Sequence, residues 1–120
     1  VLGERIEKLM EHDAVIACGK TTIGDFLGLI RRCNLVITND GGPLHMAVGV
    51  GTKTVSIFGP VDEKIYGPYP MDSGHVVVSK KDLNCRPCYK KFKYNVCDDR
   101  KCLDGIKPED VLAAVDRVLS

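Results

Sequence analysis

A β-branched run that leads straight into a glycine turn and a helix limits most sharply what this chain can become. Leu35-Val36-Ile37-Thr38 has the composition of a short buried strand. Asn39-Asp40-Gly41-Gly42 follows, and the stretch from Pro43 through Leu44, Met46, Ala47 and Val48 reads as a helix ending at Gly49 or Gly51. Pro43 suits the first helical position, where its missing N–H leaves no bond unmade. The two glycines let the backbone turn tightly with no side chain in the way. A second apolar strand, Thr54-Val55-Ser56-Ile57-Phe58, comes shortly afterwards. Strands joined through a helix run parallel, and a parallel sheet is covered on both faces.

The same turn points to chemistry. The amides of a helix N-terminus have no partner within the helix, and anions, phosphates above all, bind there. Asp40, Gly41, Gly42, Pro43, Leu44 and His45 therefore read as the diphosphate cradle of a nucleotide-sugar site, with His45 in the first turn able to donate an N–H. Asp40 can cap the helix or accept a hydroxyl from a sugar. The plainer alternative is that Asp and Gly serve only to cap the helix and make the turn.

The rest of the chain extends this pattern. Leu2, Ile6, Leu9 and Met10 repeat at helical spacing, and Ala14-Val15-Ile16-Ala17 reads as another buried strand. Thr22 with Asp25 three residues on has the form of a capping box, and Ile23, Phe26, Leu27 and Ile30 supply an apolar face behind it. Residues 59–74 read as one long loop, of the kind that often lines a binding site. Val76-Val77-Val78 is a further strand, and Pro108 opens a last helix with Val111, Leu112, Val115, Val118 and Leu119 on its apolar side. The sum is an α/β fold, a Rossmann-like parallel sheet with helices on both faces. Its ligands are expected at the carboxyl ends of the strands, where the Asp40 turn and the Gly59-Pro60 turn share one crevice.

Composition excludes little more. At 120 residues, 44% hydrophobic and 28% charged, the chain is ordinary globular protein, with neither a signal-like start nor a run of eighteen apolar residues. It opens at Val1 within a helical pattern and is expected to be a piece of something longer. A net charge of +1 hides an asymmetry. Between Lys80 and Lys101 eight Lys and Arg stand against three Asp, which suits an anionic partner or simply a solvated loop. Cys18 and Cys33 read as buried thiols. Cys85, Cys88, Cys97 and Cys102 form two close pairs that could supply four thiolates to a structural zinc, or two disulfides in an oxidising compartment; zinc is the preferred reading.

Taken in order, these segments resemble glycosyltransferase family 9, the ADP-heptose:lipopolysaccharide heptosyltransferases. The matching residues are Gly19-Lys20-Thr21-Thr22, Thr38 through His45, Phe58-Gly59-Pro60-Val61-Asp62, Gly67-Pro68-Tyr69, Cys85-Arg86-Pro87-Cys88 and Ile106-x-Pro108-Glu109-Asp110-Val111. The resemblance implies the C-terminal half of a GT-B enzyme, a donor-binding domain over residues 1–120 with a Cys-rich insertion at about 80–104 and the N-terminal acceptor domain absent. It further implies an inverting transfer of heptose or a related sugar from an ADP-sugar to a lipopolysaccharide core acceptor, with no cofactor required. The family's general base, an Asp, would lie in the N-terminal domain, so this polypeptide alone is not expected to catalyse transfer. Carried over, the amides of Gly41, Gly42 and Leu44, with His45, would hold the diphosphate; Asp40 would face the sugar, and Lys20, Thr21 and Thr22 would lie near the base and ribose. Gly41 stands where the family often has Ser and Val61 where Thr is common, so two hydroxyl contacts are missing. The implied location is cytoplasmic, peripheral to the inner membrane, with a lipid-linked oligosaccharide as acceptor. The competing reading is a non-catalytic, zinc-stapled basic module that binds nucleic acid or another polyanion, although the segment carries no RNA-module motif.

Overall fold

The structure is a computed structural model and describes residues 1–71, 74–93 and 97–120. Strands β1 (Val36–Asn39), β2 (Thr54–Phe58) and β3 (His75–Ser79) form one parallel sheet in the order β1-β2-β3. Around it run α1 (Leu2–Glu7), α2 (Ile23–Arg31), α3 (Gly42–Gly49), α4 (Glu63–Tyr66), α5 (Lys101–Asp104) and α6 (Pro108–Leu119).

The central strand explains the layering. Successive residues of a strand point to opposite faces, so a strand buried on both sides must be apolar or hydrogen-bonded throughout. On one face of β2, Val55 packs with Ala114 and Val118 of α6, alongside Val76 and Val78 of β3. On the other, Phe58 packs with Leu44 of α3 and with Val61, and Val77 joins them. Helices therefore cover both faces, as the parallel pattern requires. Leu44, Val55 and Phe58 are fully buried, and each such side chain contributes about 1.5–3 kcal/mol through removal from water. Thr52 and Thr54 are buried as well but remain satisfied: Thr52 Oγ1 donates to the Ile30 carbonyl at 2.8 Å, and Thr54 Oγ1 pairs with His75 Nδ1 at 2.9 Å. Ser56 Oγ is buried with no partner among the described residues.

Several expectations hold closely and several need correction. The strand over 54–58 is found as expected, and β1 is shifted by one residue. The capping box is complete: the Asp25 amide donates to Thr22 Oγ1 and the Thr22 amide to Asp25 Oδ2, each at 3.1 Å. Ala14–Ala17 is not a strand. Val15 is 95% exposed, and no neighbouring strand among the described residues offers it a ladder; an apolar run becomes a strand only with a partner to pair. Leu2, Ile6, Leu9 and Met10 are likewise exposed. Cys18, at this end, and Cys33, past the last turn of α2 with its Sγ donating to the Leu29 carbonyl at 3.5 Å, are exposed thiols rather than buried ones. The long loop is interrupted by α4, whose N-cap Asp62 accepts the Lys64 amide at 2.9 Å. In α6 the core positions are Ala114 and Val118, whereas Leu112 and Leu119 face outward.

Candidate functional site

The candidate site begins where β1 ends. The Asp40 amide donates to the Ile57 carbonyl at 3.2 Å, which extends the ladder by one residue and fixes where the Asp40 side chain leaves the sheet. Gly41 then takes φ 139 and ψ −166, a region essentially closed to any residue with a Cβ. Helix α3 starts at Gly42, one residue earlier than expected, with Pro43 second. Leu44, fully buried against Phe58, holds the first turn in the core.

What distinguishes this turn is how it begins. Helix α2 starts under the Thr22–Asp25 pair, and at α6 Asp110 accepts the Lys107 amide at 2.8 Å. At α3 no side chain caps the first turn, and no acidic residue lies within it. The amides of Gly42 and Leu44 therefore end at a helix terminus with nothing from the described protein to occupy them, which is the arrangement an anion uses.

Asp40, Gly41 and His45 line a cavity of about 190 Å³ together with Val61, Tyr66 and Tyr89. Asp40 follows β1 and Val61 follows β2, so the cavity sits at the carboxyl ends of two parallel strands, the usual ligand position in such sheets. Tyr66 and Tyr89 pack as a tilted pair, with ring centroids 5.8 Å apart and planes at 59°. A larger hollow of about 510 Å³ runs along α6 and past the end of β3, by Ser79, Lys80, Asp110 and Arg117, but the α6 terminus beside it is already taken up by the Asp110 carboxylate.

The Cys segment delivers Tyr89. The amides of Cys88 and Tyr89 both donate to the Pro60 carbonyl, at 3.0 and 3.2 Å. Arg86 ties the segment down: its Nε donates to the Gly59 carbonyl at 2.6 Å, and its Nη2 to the Val61 carbonyl at 2.9 Å and to Glu63 Oε2 at 2.7 Å. Ser79 Oγ donates to the other Glu63 oxygen at 3.3 Å. The Arg86 and Glu63 side chains are only 7% and 13% exposed. Burial by itself would raise the Glu63 carboxyl; the bonds from Arg86, its own backbone amide and Ser79, with the guanidinium charge, outweigh it and hold the group below the usual carboxylate range. On the far side of Gly59, Leu103 of α5 lies so close that a Cβ there would meet its Cδ2 at 2.7 Å.

Of the sequence-predicted residues, the structure brings Asp40, Gly41 and His45 into the cavity, with Gly42, Pro43 and Leu44 in the adjoining turn. Lys20, Thr21 and Thr22 are exposed and absent from its lining, and the Thr22 hydroxyl is already engaged in capping α2. Cys85, Cys88, Cys97 and Cys102 are free thiols. Burial, and then the neighbouring Cys88, Cys85 and Cys97, push the Cys102 thiol up. Among the described residues no three His, Cys, Asp or Glu side chains are grouped as a metal site. Tyr66 and Tyr89 are the lining residues that sequence reading missed. Arg86-Pro87 between two cysteines was a signal that the segment has a fixed seat, but Arg86 read as one charge of a basic patch.

The family profile described as glycosyltransferase family 9 (heptosyltransferase) matches residues 2–97. The chain belongs to glycosyltransferase family 9. Among curated family 9 relatives, lipooligosaccharide heptosyltransferase 2 of Campylobacter jejuni is 36% identical over 85% of this chain and 31% of its own length. The Haemophilus influenzae protein of the same name is 29% identical over 99% of this chain and 34% of its own. Lipopolysaccharide heptosyltransferase 3 of Escherichia coli is 30% identical over 84% of this chain and 28% of its own. The crystal structure of a family 9 glycosyl transferase from Veillonella parvula superposes with a TM-score of 0.78 and 28% identity, covering 98% of this chain and 33% of that one. The chain thus spans about a third of the length of the family 9 relatives it matches. Among the described residues no helix is long and apolar enough to cross a membrane.

Proposed function

We propose that this chain is the donor-binding part of an inverting glycosyltransferase that moves heptose, or a related sugar, from an ADP-sugar to a lipid-linked oligosaccharide of the lipopolysaccharide core. The observation that carries the reading is the uncapped start of α3, opening beside Asp40 and His45 at the carboxyl ends of β1 and β2 in a chain of family 9. The family relatives support the sugar and acceptor class by their names.

The geometry suits the chemistry. When the glycosyl bond breaks, negative charge builds on the departing diphosphate. The amides of Gly42 and Leu44 and an N–H of His45 are in place before the reaction, so they stabilise that charge without reorganising; one such donor contributes about 3 kcal/mol. At about 190 Å³ the cavity is smaller than the roughly 300–1,000 Å³ of sites that enclose a drug-sized ligand, so it takes one part of the donor at a time. The diphosphate lies across the α3 terminus and the sugar enters the cavity, where Asp40 accepts a hydroxyl and Tyr66 and Tyr89 pack on the apolar face of the ring. The N-terminal domain of the whole protein supplies the general base and the acceptor contacts, and the reaction takes place on the cytoplasmic side. The competing nucleic-acid reading is weakened, because Arg86 is committed to Glu63 and to two backbone carbonyls rather than to a basic surface.

The test is transfer by the full-length protein carrying Asp40→Ala or His45→Ala. Each is expected to lower turnover by about a hundredfold while the fold persists. Normal turnover in both variants would remove the assignment.

A further inference from the structure

Beyond the cavity, the Cys segment carries a turn whose conformation is at odds with its residues. The Lys90 and Lys93 backbones bond to each other in both directions at 3.0 Å, closing a two-residue turn over Lys91 and Phe92. Both central residues are left-handed, with φ 50 and φ 61. This is the geometry of the tight hairpin turn that Asn-Gly fills without strain, and neither Lys nor Phe suits it. The bend itself needs neither side chain. Phe92 is 82% exposed, and Lys90, Lys91 and Lys93 around it are exposed too. Strain kept at a site where an unstrained pair would serve points to what the side chains do outside the molecule.

We propose that the Lys90–Lys93 turn is a membrane-docking tip, which sets Phe92 into the interface of an anionic bilayer while Lys90, Lys91 and Lys93 meet the lipid phosphates. The charge and the shape both favour a bilayer. Aromatic rings settle at the headgroup level, and each lysine near an anionic leaflet adds attraction that falls away within a Debye length. A single protruding ring with three cations fits a flat surface; a nucleic-acid groove would need several outward aromatics, and among the described residues the nearest in sequence, Tyr89, is turned into the cavity. Phe92 meets Tyr89 edge to face, with ring centroids 6.5 Å apart. Docking here would therefore bring the cavity next to the bilayer surface.

The decisive variant replaces the turn by the pair its geometry prefers, Lys91→Asn with Phe92→Gly. It keeps the bend and removes the docking side chains. Sedimentation of the full-length protein with mixed phosphatidylglycerol–phosphatidylcholine vesicles is expected to show salt-sensitive binding and little binding to phosphatidylcholine alone. The double variant should bind the anionic vesicles about tenfold less, and adding Lys90→Gln and Lys93→Gln should bring the loss to about a hundredfold. Its melting temperature should rise and its ADP affinity should stay unchanged. Undiminished vesicle binding by the double variant would overturn the proposal, as would wild-type protein that ignores anionic vesicles or binds short RNA in their place. A wild-type protein that docks on vesicles but takes no ADP would leave this inference standing and remove the donor-site reading instead.

Discussion

Replacing Arg86 tests whether the Cys segment is held as the structure shows. Arg86→Met keeps most of the stem and removes the guanidinium, with its bonds to the Gly59 and Val61 carbonyls and to Glu63. Both side chains of the ion pair are nearly buried, so water cannot take over the lost partners. Hydrogen bonds to charged groups contribute about 1.5–3 kcal/mol each, and stripping one partner from a buried pair costs about 3–5 kcal/mol. Arg86→Met should therefore lower stability by about 3–5 kcal/mol, a large share of the ~5–15 kcal/mol that holds a typical domain together. Much of that loss comes from stranding the Glu63 carboxylate. Adding Glu63→Gln to Arg86→Met should recover about 2 kcal/mol, and a double-mutant cycle by urea unfolding of the full-length protein measures the coupling. The pH dependence has a definite sign. Because the folded state holds Glu63 below its ordinary value of 4.5, the pair's stabilisation is fully present above that value and is lost as pH falls through the lowered one. The gap between wild type and Arg86→Met should therefore narrow in acid. A loss under about 1 kcal/mol, or a strictly additive cycle, would show that Arg86 is a surface charge after all.

Other substitutions probe separate parts of the argument. A Cβ at Gly41 meets nothing within 4 Å, so Gly41→Ala should cost about 1–3 kcal/mol through backbone strain alone, and a melting temperature equal to wild type would mean the turn relaxes freely. Ser56→Ala removes a buried hydroxyl with no partner among the described residues and should be neutral or stabilising by up to about 1 kcal/mol; a clear loss in thermal denaturation would reveal a missing partner. If Cys85, Cys88, Cys97 and Cys102 take a structural zinc, as their spacing in the sequence suggests, adding zinc to the reduced, metal-free full-length protein should shield all four from a thiol reagent, and a chelator should restore them. An unchanged thiol count would leave them as free cysteines.

The parts of the fold that were legible in the sequence are those that local chemistry decides. Thr54–Phe58 is apolar or β-branched at every position except Ser56, the Thr22–Asp25 pair caps its helix within three residues, and Gly41-Gly42-Pro43 permits one kind of turn. Ala14–Ala17 misled because a strand is a property of two segments and its own residues describe only one. The cavity was half legible for a similar reason. Asp40 and His45 are close in sequence, but Tyr89 reaches them because Arg86 seats the Cys segment on Gly59, Val61 and Glu63 and the Pro60 carbonyl takes the Cys88 and Tyr89 amides. An arginine between two cysteines gives no local sign that it will be buried, so a structural anchor was counted as surface charge.

The reading rests on the α3 terminus as a diphosphate site, and a backbone amide NMR titration of the full-length protein with ADP tests it most directly, with AMP as the control. Shifts concentrated at Gly41, Gly42, Leu44 and His45 with ADP, and much weaker with AMP, are the predicted result. ADP that binds while those amides stay still would contradict the cradle and place the nucleotide elsewhere on the protein.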